Sequence, residues 1–206
     1  MQYSKKNKKK KVTIAVFDFD GTITKRDTFN HIIIKNFGLL NFIICFIFAS
    51  PFVLFYLLGF VRNDVPKTFI FRWFFKGMPY NKFKSICIDY NKKIDHIIKK
   101  NALNKINYHL KSGHIVIINS ASILDWVGLW ASKKRLHYAI ATEVEIINGL
   151  LSGNFSTRCC YGEEKVRRML EIFPDLDSYT IYAYGDSRGD NQLLSIADKP
   201  FYKSFD

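Results

Sequence analysis

The stretch VTIAVFDFDGTIT, Val12 to Thr24, reads as a buried strand that stops at two carboxylates, Asp18 and Asp20, and a glycine turn. Val12, Ile14, Ala15, Val16 and Phe17 make a short apolar run, the pattern of a strand covered on both faces in a parallel sheet. Gly21 lets the backbone leave that strand sharply, and Thr22 places a hydroxyl there. Two acids two residues apart at the end of a buried strand are costly to desolvate unless a cation or a proton sits between them. A pair of acids at a strand end is common on its own. The strand, the glycine and the threonine around this pair make it a candidate site.

Two later apolar runs end in the same way. His114 to Asn119, HIVIIN, predicts a second buried strand followed by Ser120, Ala121 and Ser122, with a helix over 123–134 capped by Ser122. Hydroxyls and free backbone N–H groups between a strand and a helix form a phosphate cradle, although a serine there also serves as a simple cap. Tyr138 to Thr142 predicts a third strand, and 143–155 a hairpin turning at Asn148-Gly149. A helix opens at Tyr161-Gly162 and runs to Phe173, with Lys165 in its first turn, where a cation opposes the macrodipole. That position suits a surface lysine as well as one that reaches a phosphate. Thr180 to Tyr184 predicts a fourth strand ending in GDSRGDN, residues 185–191, which carries Asp186 and Asp190.

In a doubly wound parallel sheet the carboxyl ends of the strands converge on one crevice. Asp18 and Asp186 would face each other there and repel, so a hard divalent cation with oxygen ligands, Mg²⁺, is expected between them. Beside such an ion an aspartate can attack phosphorus, with the metal and Lys165 neutralising charge on the transferring group.

Between the first and second strands the period changes. Asp27 or Thr28 caps a helix through Phe29, Ile32, Ile33 and Ile34. Asn36 to Val61 then runs for 26 residues without a charge, about 39 Å as a helix against about 30 Å of bilayer hydrocarbon. Pro51 interrupts it, and a site built from residues on both flanks requires both flanks on one side of a membrane. Two short apolar helices, 37–49 and 51–61, forming a re-entrant or interfacial hairpin are therefore expected, or else a helical cap whose apolar faces bury against each other. Residues 66–111 read as further helix with a lysine-bearing face, and Gly113 ends the region.

The net charge of +13 is unevenly placed. Residues 1–11 carry six lysines and no acid, which predicts a disordered basic tail. Residues 25–112 carry 15 basic residues against four acids, whereas 113–206 are slightly acidic. The positive surface thus belongs to the tail and the inserted region, and it favours polyanions such as phosphorylated substrates or anionic headgroups. Aromatic residues cluster in apolar runs rather than alternating with basic ones, which argues against nucleic acid. Four cysteines without paired spacing point to a reducing compartment, and five scattered histidines exclude a zinc pattern. No obligate protein partner is indicated.

DFDGT at 18–22, Ser120 after a buried strand, Lys165, and GDSRGD at 185–190 together resemble the haloacid dehalogenase (HAD) superfamily of phosphohydrolases. More narrowly they resemble its subfamily IB, the phosphoserine-phosphatase-like branch. The resemblance implies an α/β fold, a HAD-like Rossmannoid parallel sheet formed by 12–25 and 113–206, with an inserted α-helical cap of the C1 type at 26–112. It implies Asp18 as nucleophile and Asp20 as general acid and base. Ser120 and Lys165 would hold the phosphoryl group, with Asp18, the Asp20 carbonyl and Asp186 on Mg²⁺. Asp190 would support Lys165, beside Asn191, Gly21 and Thr22. The uncharged stretch, Thr157-Arg158-Cys159 and Gly162-x-Glu164-Lys165-Val166 are similar to bacterial type C phosphatidylglycerophosphatases. That likeness implies a lipid phosphate substrate at the cytoplasmic face of the inner membrane, with Arg158 either on the substrate phosphate or simply at the surface. The competing expectation is a soluble cytoplasmic metabolite phosphatase; a non-catalytic basic membrane-binding module is the third.

Overall fold

The computed structural model describes residues 11–205; the basic-tail expectation falls, except for Lys11, outside the described residues. Five strands, β1 (Val12–Phe17), β2 (Ile115–Ile123), β3 (Tyr138–Thr142), β6 (Tyr179–Gly185) and β7 (Lys199–Tyr202), form one parallel sheet in the order β3-β2-β1-β6-β7. Two further strands, β4 (Val144–Ile147) and β5 (Leu150–Phe155), form the expected hairpin, whose turn uses the positive φ angles of Asn148 and Gly149. β1 is central because its side chains are apolar on both faces. Ile14 and Val16 join a cluster with Ile117, Met169, Phe173 and Ile181, while Ala15 and Phe17 join one with Trp126, Trp130 and Tyr184. Helices cover both sides, α7 (Glu163–Ile172) and α8 (Asn191–Ser195) on one, α5 (Lys100–Lys111) and α6 (Leu124–Lys133) on the other. The fold is α/β, as expected.

Four helices are inserted between β1 and α5: α1 (Thr28–Phe37), α2 (Leu39–Leu57), α3 (Asp64–Phe75) and α4 (Tyr80–Lys93). Asp27 caps α1 by accepting from the Asn30 N–H at 2.7 Å. The expected break at Pro51 does not occur, and no hairpin forms within 36–61; α2 is one continuous helix. Proline deprives the Ile47 carbonyl of its i+4 donor, and the Ser50 hydroxyl donates to that carbonyl at 2.7 Å instead. The chain doubles back only afterwards, and α2 packs along α3 through Phe52–Phe69 and Phe48–Trp73 ring contacts at 5.0 and 5.5 Å. The other face of α3 seats Phe71 against Phe83 and Phe155, tying the pair to the body of the protein.

Two further corrections concern element boundaries. β2 runs on through Ser120 and Ser122 to Ile123, and Ser122 does not cap α6. Its hydroxyl instead meets Thr28 Oγ1 at 2.8 Å and accepts from Trp126 Nε1 at 3.1 Å. A buried hydroxyl with two partners inside the core is as well satisfied as one at a helix end. β7 was not anticipated, because its four residues carry neither alternation nor a long apolar run.

Candidate active site

Parallel register brings the ends of β1, β2 and β6 level: Phe17 pairs with Ile118 on one side and Tyr184 on the other. The next residues are Asp18, Asn119-Ser120 and Gly185-Asp186, which therefore share one edge of the sheet. The Asp18 N–H extends the ladder to the Tyr184 carbonyl at 2.9 Å. Behind them α7 buries Lys165 and Met169, and Phe173 just past its end continues that stripe at spacing four against the sheet. Lys165 Nζ lies 2.6 Å from Asp18 Oδ1 and 2.5 Å from Asp190 Oδ1, with all three side chains buried.

The other oxygen of Asp190 accepts from the Asp186 and Ser187 N–H groups and the Ser187 hydroxyl, at 3.0–3.1 Å. Asp186 Oδ1 accepts from Thr22 Oγ1 at 2.8 Å. The turn at Gly21 has φ +82°, and a Cβ there would sit 2.3 Å from Asp186 Oδ2. Gly21 is thus glycine for two reasons, conformation and close approach. Asp20 turns its carboxylate to the Thr28 N–H at 2.9 Å.

The electrostatics follow from burial. Burial works against the charge on Lys165, yet Asp18 and Asp190 outweigh it and hold the amine above its ordinary value. Burial likewise opposes ionisation of Asp190, but Lys165 and Ser187 hold it below the usual carboxylate range. One lysine therefore neutralises one acid. Asp18 is left over, pushed up to about 8 by burial against the pull of Lys165. Asp186 is also raised, by burial and then by the Asp190 charge. Carboxylate oxygens of Asp18, Asp186 and Asp190 lie within 4.8 Å of one another. A hard divalent cation fits this all-oxygen set, because it would relieve the surplus of acid that Lys165 leaves. Asp20 is raised to about 7 by burial and by the Asp27 charge, against its bond from Thr28.

Ser120 is buried at the end of β2, with its hydroxyl accepting from the Ser122 N–H at 3.1 Å. Arg158 is not among the residues that hydrogen-bond the four acids. It is exposed and lines a cleft of about 600 Å³ with Tyr56, Arg62, Tyr161 and Gln192. Asn191 opens α8 with its side chain exposed, outside the hydrogen bonds that join the acids.

Several neighbours were not singled out beforehand. Asn119 donates to the Lys165 carbonyl at 2.9 Å and so holds α7 to the sheet; a buried asparagine closing an apolar strand was the available signal. Lys67 on α3 donates to the Ala121 carbonyl at 2.5 Å, lies 4.9 Å over the Phe29 ring, and lowers the Asp20 pKa by its charge. Lys99 donates to the Gly21 carbonyl at 2.6 Å. No spacing in the sequence distinguishes these two among so many lysines.

Comparison with known proteins agrees with this geometry. Residues 15–195 match the haloacid dehalogenase-like hydrolase family. Protein CicA of Caulobacter vibrioides is 26% identical over 201 residues, 93% of this chain and 86% of that protein. A Bordetella pertussis protein of unknown function superposes with a TM-score of 0.79 at 17% identity, over 93% of this chain and 89% of the other. A substrate-bound phosphoserine phosphatase does so with a TM-score of 0.66 at 17% identity, over 94% and 87%.

Proposed function

The chain belongs to the haloacid dehalogenase-like hydrolases, and from that premise we propose that it is a Mg²⁺-dependent phosphomonoesterase that works through an aspartyl-phosphate on Asp18. The observation that supports this most is the buried Asp18–Lys165–Asp190 chain beside Asp186, more carboxylates than one lysine neutralises. Asp18 attacks phosphorus; the bond to the leaving oxygen breaks and that oxygen takes a proton from Asp20. A pKa near 7 lets Asp20 hold that proton at neutral pH. Asp20, now ionised, takes a proton from water, whose oxygen attacks phosphorus and frees Asp18 with release of phosphate. Lys165 keeps Asp18 oriented and, with Ser120, holds the phosphoryl oxygens. Asp18, Asp186 and the Asp20 carbonyl would hold Mg²⁺, which would supply charge neutralisation for those oxygens.

The substrate we infer is a membrane-proximal lipid phosphate of the phosphatidylglycerophosphate kind, reached from the cytoplasmic face of the inner membrane. The support is α2. Leu39–Leu57 is, among the described residues, the one helix long and apolar enough to cross a membrane, with mean hydropathy 2.2 and 11% of its apolar window buried. A soluble helix rarely leaves such a surface to water. The likeness to phosphoserine phosphatase structures favours the second reading, a small soluble phosphomonoester. A phosphatase assay spanning phosphatidylglycerophosphate, lysophosphatidate and phosphoserine separates the two. Lipid turnover is expected, and preference for phosphoserine would select the second reading. Asp18→Asn should lower turnover of a generic aryl phosphate at least about a thousandfold; retained activity removes Asp18 as nucleophile.

A further inference from the structure

The 19 residues of α2 extend about 28 Å at 1.5 Å per residue, close to the thickness of bilayer hydrocarbon. Length and composition would let this helix cross a membrane, but its packing holds it elsewhere. Its inward stripe runs from the first turn to the last. Cys45 and Ala49 belong to the buried cluster that holds Phe17 and Trp126, and Phe42 packs against it. Tyr56 donates its hydroxyl to that of Tyr161, beside the start of α7, at 3.3 Å. A helix tied to the body at both ends has no half left to send through a bilayer. The Phe48–Trp73 and Phe52–Phe69 contacts also set α3 antiparallel to α2. Arg72, next to Trp73, is therefore level with the middle of α2, and a crossing would draw that charge into hydrocarbon.

The outward face is as continuous as the inward one. Ile47 is two residues from both Cys45 and Ala49, about 160° around the helix from each. Leu40 and Leu54 extend its stripe by seven residues in either direction, and all three are exposed. Charge indicates what covers this face. Residues 28–88 carry seven Lys and Arg against a single acid, Asp64, which Arg62 engages at 2.7 Å. Exposed Lys35 precedes α2, exposed Arg62 follows it, and exposed Arg72 and Lys76 close α3. An uncharged stripe among cations complements anionic headgroups above hydrocarbon. A second copy of the chain fits worse, because a two-fold pair through α2 would set those cations against their own images.

Given the membrane attachment proposed above, on which this rests, we infer that α2 docks side-on to an anionic bilayer. Its axis lies in the plane of the headgroups, its outward stripe is submerged from end to end, and no part of 28–88 crosses. Leu40→Cys, Ile47→Cys and Leu54→Cys, made singly in the full chain, each offer a thiol to a fluorophore. The four native cysteines are buried, and the wild type controls for their labelling. Circular dichroism checks the fold, and Ile44→Cys replaces Ile47→Cys should that variant misfold. The probe is a vesicle of phosphatidylcholine and phosphatidylglycerol carrying nitroxide quenchers either near the headgroups or deep in the chains. All three fluorophores are expected at one shallow depth, about 5–10 Å below the headgroups, with the shallow quencher the stronger at every site. A crossing helix would separate Leu40 and Leu54 by about 21 Å along the normal and put Ile47 near the bilayer centre. Stronger quenching by the deep nitroxide at Ile47 than at the other two sites overturns the side-on geometry alone. Absence of quenching at all three sites removes membrane contact and the inference with it, and a concentration-dependent dimer in that case would assign the face to a second copy. Which phosphomonoester is hydrolysed is decided separately by the turnover assay, since a flat helix is compatible with either substrate.

Discussion

Gly21 carries the tightest steric constraint in the site. With φ +82°, any other L-residue there is strained by about 1–2 kcal/mol, and its Cβ would collide with Asp186 Oδ2 at 2.3 Å. The carboxylate, held at Oδ1 by the Thr22 hydroxyl, is the softer partner, because a side chain can turn where the backbone of the strand end cannot. Gly21→Ala should therefore displace Asp186 more than it unfolds the protein. The concentration of Mg²⁺ giving half-maximal activity is expected to rise about tenfold or more, with thermal midpoint lowered by a few degrees. An unchanged magnesium titration would mean that Asp186 takes no part in holding the metal. At this scale much of the site was readable. Asp18, Asp186, Asp190 and Lys165 stand on opposite sides of the sequence, and each was visible as a polar residue placed where apolar packing should continue or where the helix dipole disfavours it. Lys67 and Lys99 were not readable, because their roles come from where α3 and the 94–99 segment happen to fold back, which no local pattern encodes.

At the scale of elements, legibility followed the length of the apolar signal. β1, β2, β3 and β6 have unbroken apolar runs and were placed to within a few residues. The exception was α2, where a proline rule gave the wrong break: the rule counts a lost N–H, and Ser50 restores a donor to the stranded carbonyl. A continuous helix makes a continuous surface. Leu40, Ile47 and Leu54, spaced by seven on one stripe, are 72%, 62% and 55% exposed. If that stripe enters a bilayer, each side chain gains about 1.5–3 kcal/mol on leaving water. Replacing all three by serine should abolish sedimentation with anionic liposomes while leaving aryl phosphate turnover within about twofold, since all three are exposed and belong to neither buried cluster around the sheet. Sedimentation that persists in the triple variant would remove α2 as the contact. The basic charge of the N-terminal tail and the inserted region would then be the remaining means of attachment.

For the whole molecule, the pH dependence of stability sets two kinds of buried group against each other. His109 on α5 is fully buried against the sheet, with Nε2 2.9 Å from Tyr184 Oη and Nδ1 2.7 Å from His114 Nδ1. Burial, with the His114 and Lys105 charges behind it, pushes its pKa down to about 4. Between pH 6.5 and 4 the unfolded chain takes up a proton that the folded chain refuses, so this histidine costs stability as pH falls, on the order of 3 kcal/mol in all. Asp18 and Asp20 act in the opposite sense. Raised to about 8 and about 7, they keep protons that the unfolded chain has released, so their stabilising contribution is complete below about pH 4 and is lost as pH rises through 7 and 8. In the metal-free protein the acids can mask the histidine, and the wild-type curve alone does not reveal it. The difference between wild type and His109→Gln does, because the carboxylates titrate equally in both and cancel. Denaturant unfolding without metal at pH 7, 6, 5 and 4 should show the stability of His109→Gln relative to wild type rising steadily as pH falls, even if glutamine starts lower at pH 7 through poorer packing. A constant difference across that range would mean that the folded core accepts the proton, and that His109 is not the group sealing α5 to β6 in its neutral form.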